Sequence, residues 1–197
     1  NWIIRPAAGL YFQRAWVTVA DEPPADLRIV RYWDLAATEK TSSNDPDFTV
    51  SLKMGLAPNG RIFILHCSSF RRSPHKVREA IKNLAAQDGP GVSIGLPQDP
   101  GQAGKSQARD LAAMLAGYTV RITRESGDKI TRFSSFSAQC EAGNVTLLRG
   151  PWNEELLNHL EAFPTASHDD HADAASGAFN LLAGEPAPMR INRGILR

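Results

Sequence analysis

The stretch DFTVSLKMGLAPNGRIFILHCSSF, residues 47–70, constrains the fold of this chain more than any other. Two β-rich runs flank Pro58-Asn59-Gly60, and Asn-Gly favours the tight turn that pairs neighbouring strands antiparallel. A further β-rich run, LRIVRYWDLA (27–36), precedes them. After the hairpin the pattern changes. SPHKVREAIKNLAAQDG (73–89) opens with Ser-Pro, closes with Gly, and sets Val77, Ile81, Leu84 and Ala85 on one helical face. GVSIGLPQD (91–99) reads as a buried strand, SQARDLAAMLAG (106–117) as a helix and YTVRITRE (118–125) as a strand. DKITRFSSFSAQCEAG (128–143) predicts a helix and NVTLLRG (144–150) a short strand or edge. NEELLNHLEAF (153–163) and DDHADAASGAFNLLAG (169–184) predict two more helices. A hairpin feeding βαβα units predicts an α/β fold, a mixed central sheet with helices on both faces. In such a sheet, sites form at the carboxyl ends of adjacent strands.

A length of 197 residues fits one domain with appended segments, and 42% hydrophobic residues supply its core. ADEPPAD (20–26) reads as a linker because Pro23 and Pro24 stop regular structure. The expected division is therefore residues 1–27 as a connecting segment, 28–185 as the domain and 186–197 as a tail. No run of 18 apolar residues predicts a membrane span, and the first residues lack the pattern of a signal peptide. The missing initiator Met suggests a piece of a longer chain. Cys67 and Cys140 read as two thiols in a reducing compartment. With a net charge of +1, any nucleic-acid partner has to be held by local basic clusters.

LPQDPGQAGKSQ (96–107) ends its core in Gly104-Lys105-Ser106, the close of a phosphate-binding loop. That signature requires Gly five residues before Gly104, and Asp99 stands there instead. An acid at the end of an apolar strand suits a metal better than a phosphate. Asp34 lies inside an apolar run between Trp33 and Leu35, where an unpartnered carboxylate is costly. SHDDHADA (167–174) adds Asp169, Asp170 and Asp173 at a helix start. One Asp there is an ordinary capping residue; three, joined by two acids on strands, would repel unless divalent cations intervened. Oxygen-only ligands indicate hard ions, a pair of Mg²⁺ or Mn²⁺. At 100° per residue Asp170 borders the apolar side of the helix, Asp173 lies further out, and Asp169 sits on the opposite margin. That ranks Asp170 first, Asp173 second and Asp169 third. His168 and His171 read as packed or hydrogen-bonded rather than as zinc ligands.

Four stretches, RYWDLAATEKTSSNDPDFTV, PQDPGQAGK, DKITRFSSFSAQCEAGNVTLL and HDDHADAASGAF, occur in this order across roughly residues 28–184. Together they resemble the C-terminal nuclease domain of the large terminase subunit of tailed bacteriophages. The resemblance implies a ribonuclease H-like fold of the resolvase branch and metal-dependent cutting of double-stranded viral DNA during packaging. It implies catalytic metal ligands at Asp34, Asp99, Asp170 and Asp173, with Asp47 or Asp45 as a further acid. It also implies an N-terminal ATPase domain, a portal protein and a small terminase subunit as partners, and action in the host-cell cytoplasm. No intact nucleotide-binding loop is present, so the chain reads as the nuclease half. Arg71, Arg72, Lys76 and Arg78 read as a solvated face. Arg121, Arg124, Lys129 and Arg132 flank the most distinctive stretch and are candidates to track DNA phosphates. Lys105 is a phosphate contact or a solvated first-turn residue. Two other readings stay open: a resolvase or transposase on the same fold, and a non-catalytic domain that binds DNA or a portal.

Overall fold

The computed structural model of the chain describes residues 9–36, 47–124, 127–165 and 168–184. The hairpin forms as its turn chemistry dictates: β3 (Thr49–Leu56) and β4 (Ile62–Phe70) pair antiparallel. Gly60 takes φ +85° at the turn, and the Asn59 side chain accepts from the Arg61 backbone N–H at 3.1 Å. Strand β2 (Arg28–Asp34) pairs antiparallel with β3 and parallel with β5 (Ser93–Pro97). Strand β6 (Val120–Thr123) extends the sheet parallel to β5, and β7 (Val145–Leu148) runs parallel to β4. With β1 (Thr18–Ala20) beside β7, the seven-stranded mixed order is β1-β7-β4-β3-β2-β5-β6.

Alternation along β2 shows how the helices divide between the faces. Val30 and Tyr32 join one buried cluster, with Phe133 and Phe136 of α3 (Lys129–Glu141), Leu156 and Leu160 of α4 (Asn153–Ala162) and Ala174 and Ala178 of α5 (Asp170–Gly184). Trp33 joins the other, with Ile81 and Ala85 of α1 (Pro74–Asp88) and Leu111 of α2 (Gln102–Met114). Helix α5 lies directly on the sheet. A Cβ at Gly177 would stand 2.2 Å from the Tyr32 ring, so only glycine lets the helix approach this closely. That approach carries the start of α5 to the carboxyl end of β2.

Several expectations change in detail. The segment before residue 28 contributes Phe12, 1% exposed, to the core and β1 to the sheet edge. β1 is three residues long, too short to show an alternation in sequence, and it leaves β7 an inner strand. The strand holding Ser93–Pro97 is consequently the fifth in the chain and ends two residues before Asp99, which is exposed in the following loop. Helix α2 starts at Gln102 rather than Ser106, so Gly104-Lys105-Ser106 is helical. A Cβ at Gly104 would sit 2.4 Å from the Asp99 carbonyl oxygen, which explains a glycine inside the first turn. Asp173 is not on an outer face; it is 8% exposed, because α3 packs against α5 and sets Lys129 and Arg132 on its carboxylate. Asp45 lies outside the described residues.

Candidate metal centre

Three segments deliver carboxylates to one cleft of about 190 Å³: the end of β2 with Asp34, the β5–α2 loop with Asp99, and the start of α5 with Asp169, Asp170 and Asp173. Asp47, just before β3, lines the same cleft. All four acids expected to act are therefore brought together, and of the two candidates for a further acid Asp47 is on the cleft wall.

Asp170 is 5% exposed, and its Oδ2 has no hydrogen-bond partner among the described residues. Burial raises its pKa, the backbone N–H of Phe48 offsets this in part, and the charges of Asp47 and Asp169 push it further up. Asp173 is balanced instead by cations from α3. Arg132 Nη2 donates to its Oδ1 at 2.9 Å, and Lys129 Nζ lies 2.8 Å from its Oδ2. Lys129 also donates to Asp169 Oδ1 at 2.6 Å. Burial opposes the charge on Lys129, yet its bonds to Asp169 and Asp173 prevail and raise its pKa. Lys129 and Arg132 stand three residues apart on α3, so one face of its first turn meets one face of the first turn of α5.

On the other wall, His168 Nδ1 lies 3.4 Å from Asp47 Oδ1, and Arg71 Nη2 lies 3.0 Å from His168 Nε2. An arginine can only donate, so Nε2 accepts and Nδ1 carries the proton toward Asp47. The Arg71 guanidinium sits 3.9 Å above the Phe48 ring. Arg71 and His168 were not read as site residues from the sequence, nor was Gln107, which lines the cleft. The pairing of His168 with Asp47 spans 121 positions and that with Arg71 spans 97, so no local pattern announces either. His171 is packed, as expected of it: it is 1% exposed against His159 and Phe48. Burial, with His159 adding to it, pushes its pKa down to about 3, so the ring is neutral.

The remaining basic candidates border the acids. Arg121, Arg124 and Arg132 line a groove of about 480 Å³ that shares Asp173 with the acid cleft. Lys105 and Arg124 line a second depression beyond it. Lys105, Arg121 and Arg124 are exposed at this rim.

A family model described as the terminase ribonuclease H-like domain matches residues 31–182. Among solved structures, the large terminase nuclease of thermophilic phage G20c with bound zinc aligns at TM-score 0.59 and 18% identity, covering 83% of this chain and 92% of that one. The same nuclease with bound magnesium gives 0.58 and 14%, with the same coverage. The manganese-soaked, inhibitor-bound nuclease domain of the human cytomegalovirus terminase gives 0.57 and 16%, covering 78% of this chain and 82% of that one. At these identities the structural likeness establishes the fold, which is ribonuclease H-like. No curated protein sequence matches the chain significantly.

Proposed function

Because the chain belongs to the terminase ribonuclease H-like domain family, we propose that its acid cleft is the active centre of a metal-dependent endonuclease cutting double-stranded viral DNA during genome packaging. The observation that carries this reading is the convergence of Asp34, Asp99, Asp170 and Asp173 on one cleft where a buried carboxylate oxygen lacks a partner among the described residues. The donors fit hard divalent cations: the cleft's acids are all aspartates, and the orphaned Asp170 oxygen is the kind of atom such an ion completes. Asp34, Asp99, Asp170 and Asp173 would hold two Mg²⁺ or Mn²⁺ ions. Bound there, the ions supply Lewis-acid stabilisation of the scissile phosphate and a water of lowered pKa.

The chain's own groups prepare the rest. Lys129 pairs with the Asp169 and Asp173 carboxylates and Arg132 with that of Asp173, which holds the two acids in place at the cleft. His168, oriented by Arg71, points its N–H at Asp47. Lys105, Arg121 and Arg124 hold backbone phosphates leading away from the acids, and such contacts carry no base information. No base-reading element is apparent among the described residues, so cutting is weakly sequence-specific. In this reading the nuclease domain runs to residue 185 and takes in Phe12 and β1 from the segment before residue 28; an ATPase domain precedes it and a tail follows from 186. The portal protein and the small terminase subunit are its partners, and it acts in the host-cell cytoplasm.

Plasmid cleavage tests the proposal. Nicked or linear product should form with Mg²⁺ or Mn²⁺ and fail to form with Ca²⁺ or EDTA. Equal cleavage in EDTA would refute it.

A further inference from the structure

A second group of metal-binding side chains lies beside the acid cleft and shares no ligand with it. Glu155 and His159 stand one turn apart on α4, and His171 faces them from α5. Their donor atoms all lie within 4.8 Å of one another. His171 Nε2 is 3.7 Å from Glu155 Oε1, too far for a hydrogen bond. Both nitrogens of this buried ring are without a hydrogen-bond partner among the described residues. A fully buried imidazole with two idle nitrogens is unusual, because its N–H and its lone pair each cost free energy when left unmade. Packing accounts for the ring's faces: His159 stacks on it at 4.0 Å and 13°, and the Phe48 ring centroid lies 6.1 Å away. It does not account for the nitrogens.

We propose that Glu155, His159 and His171 form a binding site for an imidazole-seeking first-row cation such as Zn²⁺, distinct from the hard-ion centre. Two neutral imidazoles and a carboxylate make a donor set that suits zinc and its neighbours and does not suit Mg²⁺. The i,i+4 spacing of Glu155 and His159 puts both donors on one face of α4. Ser69 Oγ donates to Glu155 Oε1 and orients that carboxylate, as outer-shell partners of metal ligands do. Two ligands of one tetrahedral zinc lie roughly 3.4 Å apart, so the three groups need a modest closure. Parallel rings aim their lone pairs side by side; a turn of His159, the less buried of the two, makes them converge. Glu155 is 50% exposed, which leaves a route from solvent. A cation there ties α4 to the first turn of α5, one residue after Asp170, and so steadies the helix start that serves the acid cleft.

The test is zinc titration of the full chain in a chelator-buffered solution, with bound metal counted by mass spectrometry and melting followed in parallel. The background carries Asp34→Asn, Asp47→Asn and Asp99→Asn, so that the acid cleft is disabled. About one equivalent of Zn²⁺ should still bind and raise Tm, with no competition from excess Mg²⁺. Glu155→Gln and His159→Ala should each weaken binding on the order of tenfold or more. Glu155→Gln changes an exposed side chain and leaves the fold intact, so it decides the matter even if His159→Ala fails to fold. X-ray absorption should show imidazole ligands. Loss of zinc with the three Asp→Asn changes, or binding unaltered by Glu155→Gln, overturns the proposal and leaves His171 as a packed ring only.

Discussion

A carboxylate 5% exposed, with one oxygen lacking a hydrogen-bond partner among the described residues and two like charges nearby, destabilises a fold unless something completes it. Asp170 is in that position, and Asp34 lines the same cleft. Replacing either by Asn removes one negative charge from a crowded cluster while preserving shape. Asp34→Asn and Asp170→Asn should therefore each abolish plasmid cleavage while leaving the melting temperature in EDTA unchanged or raised, by about 2–4 °C per kcal/mol of relieved repulsion. Paired nicking assays and thermal melts check both halves; a variant that cuts at the wild-type rate refutes its assignment. Asp34 and Asp170 were legible in the sequence because each interrupts or borders an apolar pattern. The burial of Asp173 was not, because it depends on α3 closing over α5, a contact between segments that periodicity treats separately. Lys129 and Arg132 were legible as cations near the site. Their bonds to Asp169 and Asp173 were not.

Helix α1 was legible almost to its ends, with Ile81 and Ala85 buried on the expected face. Its last residue, Asp88, sets a carboxylate against the helix dipole. Two cations, Arg31 and Lys53, compensate for that. Arg31, 2% exposed, donates to Asp88 Oδ1 at 3.1 Å, and Lys53 Nζ reaches the same oxygen at 2.8 Å. Arg31 Nη1 also donates to Ser51 Oγ at 2.8 Å, which ties β2 and β3 to the end of α1. Burial works to raise the Asp88 pKa, but the bonds and charges of Arg31 and Lys53 outweigh it and hold the group below the usual range. The stabilisation is thus fully present above the unfolded pKa of about 3.9 and is lost as pH falls through the folded value. Acid titration of stability should show a loss below about pH 4 that Asp88→Asn flattens. At neutral pH the same substitution should cost about 3 kcal/mol, because it leaves Arg31 buried with a weaker partner. Denaturant melts across pH measure both, and an unchanged acid limb contradicts the assignment. Elements that were not legible share a physical cause. β1 is too short to carry a pattern, and the first turn of α2 is written in Gln102, Gly104 and Lys105, which helix periodicity passes over.

Across the whole molecule the net charge is only +1, so the proposed function requires DNA to be held by local placement of cations rather than by a global field. Lys105, Arg121 and Arg124, exposed at the rim of the acids, are the side chains to which the proposed function gives that placement. Lys105→Ala should weaken DNA binding modestly and lower the slope of log K against log salt by no more than about one. Asp99→Gly should end cleavage without creating ATP binding, because the residues after it are helical and not a phosphate loop. Tight ATP binding that Lys105→Ala removes would contradict this. The layout of the sheet was legible because hairpin chemistry and alternating strands and helices leave few topologies. The closeness of α5 to Tyr32 was not, because Gly177 reads in sequence as an ordinary small residue. The account as a whole rests on the acid cleft being a metal centre. Manganese anomalous scattering from soaked crystals of wild type and Asp34→Asn tests this most directly. Peaks against the Asp34 and Asp170 carboxylates in the wild type, weakened or lost in Asp34→Asn, are the predicted result. A cleft without manganese, at concentrations that support plasmid cleavage, would contradict it.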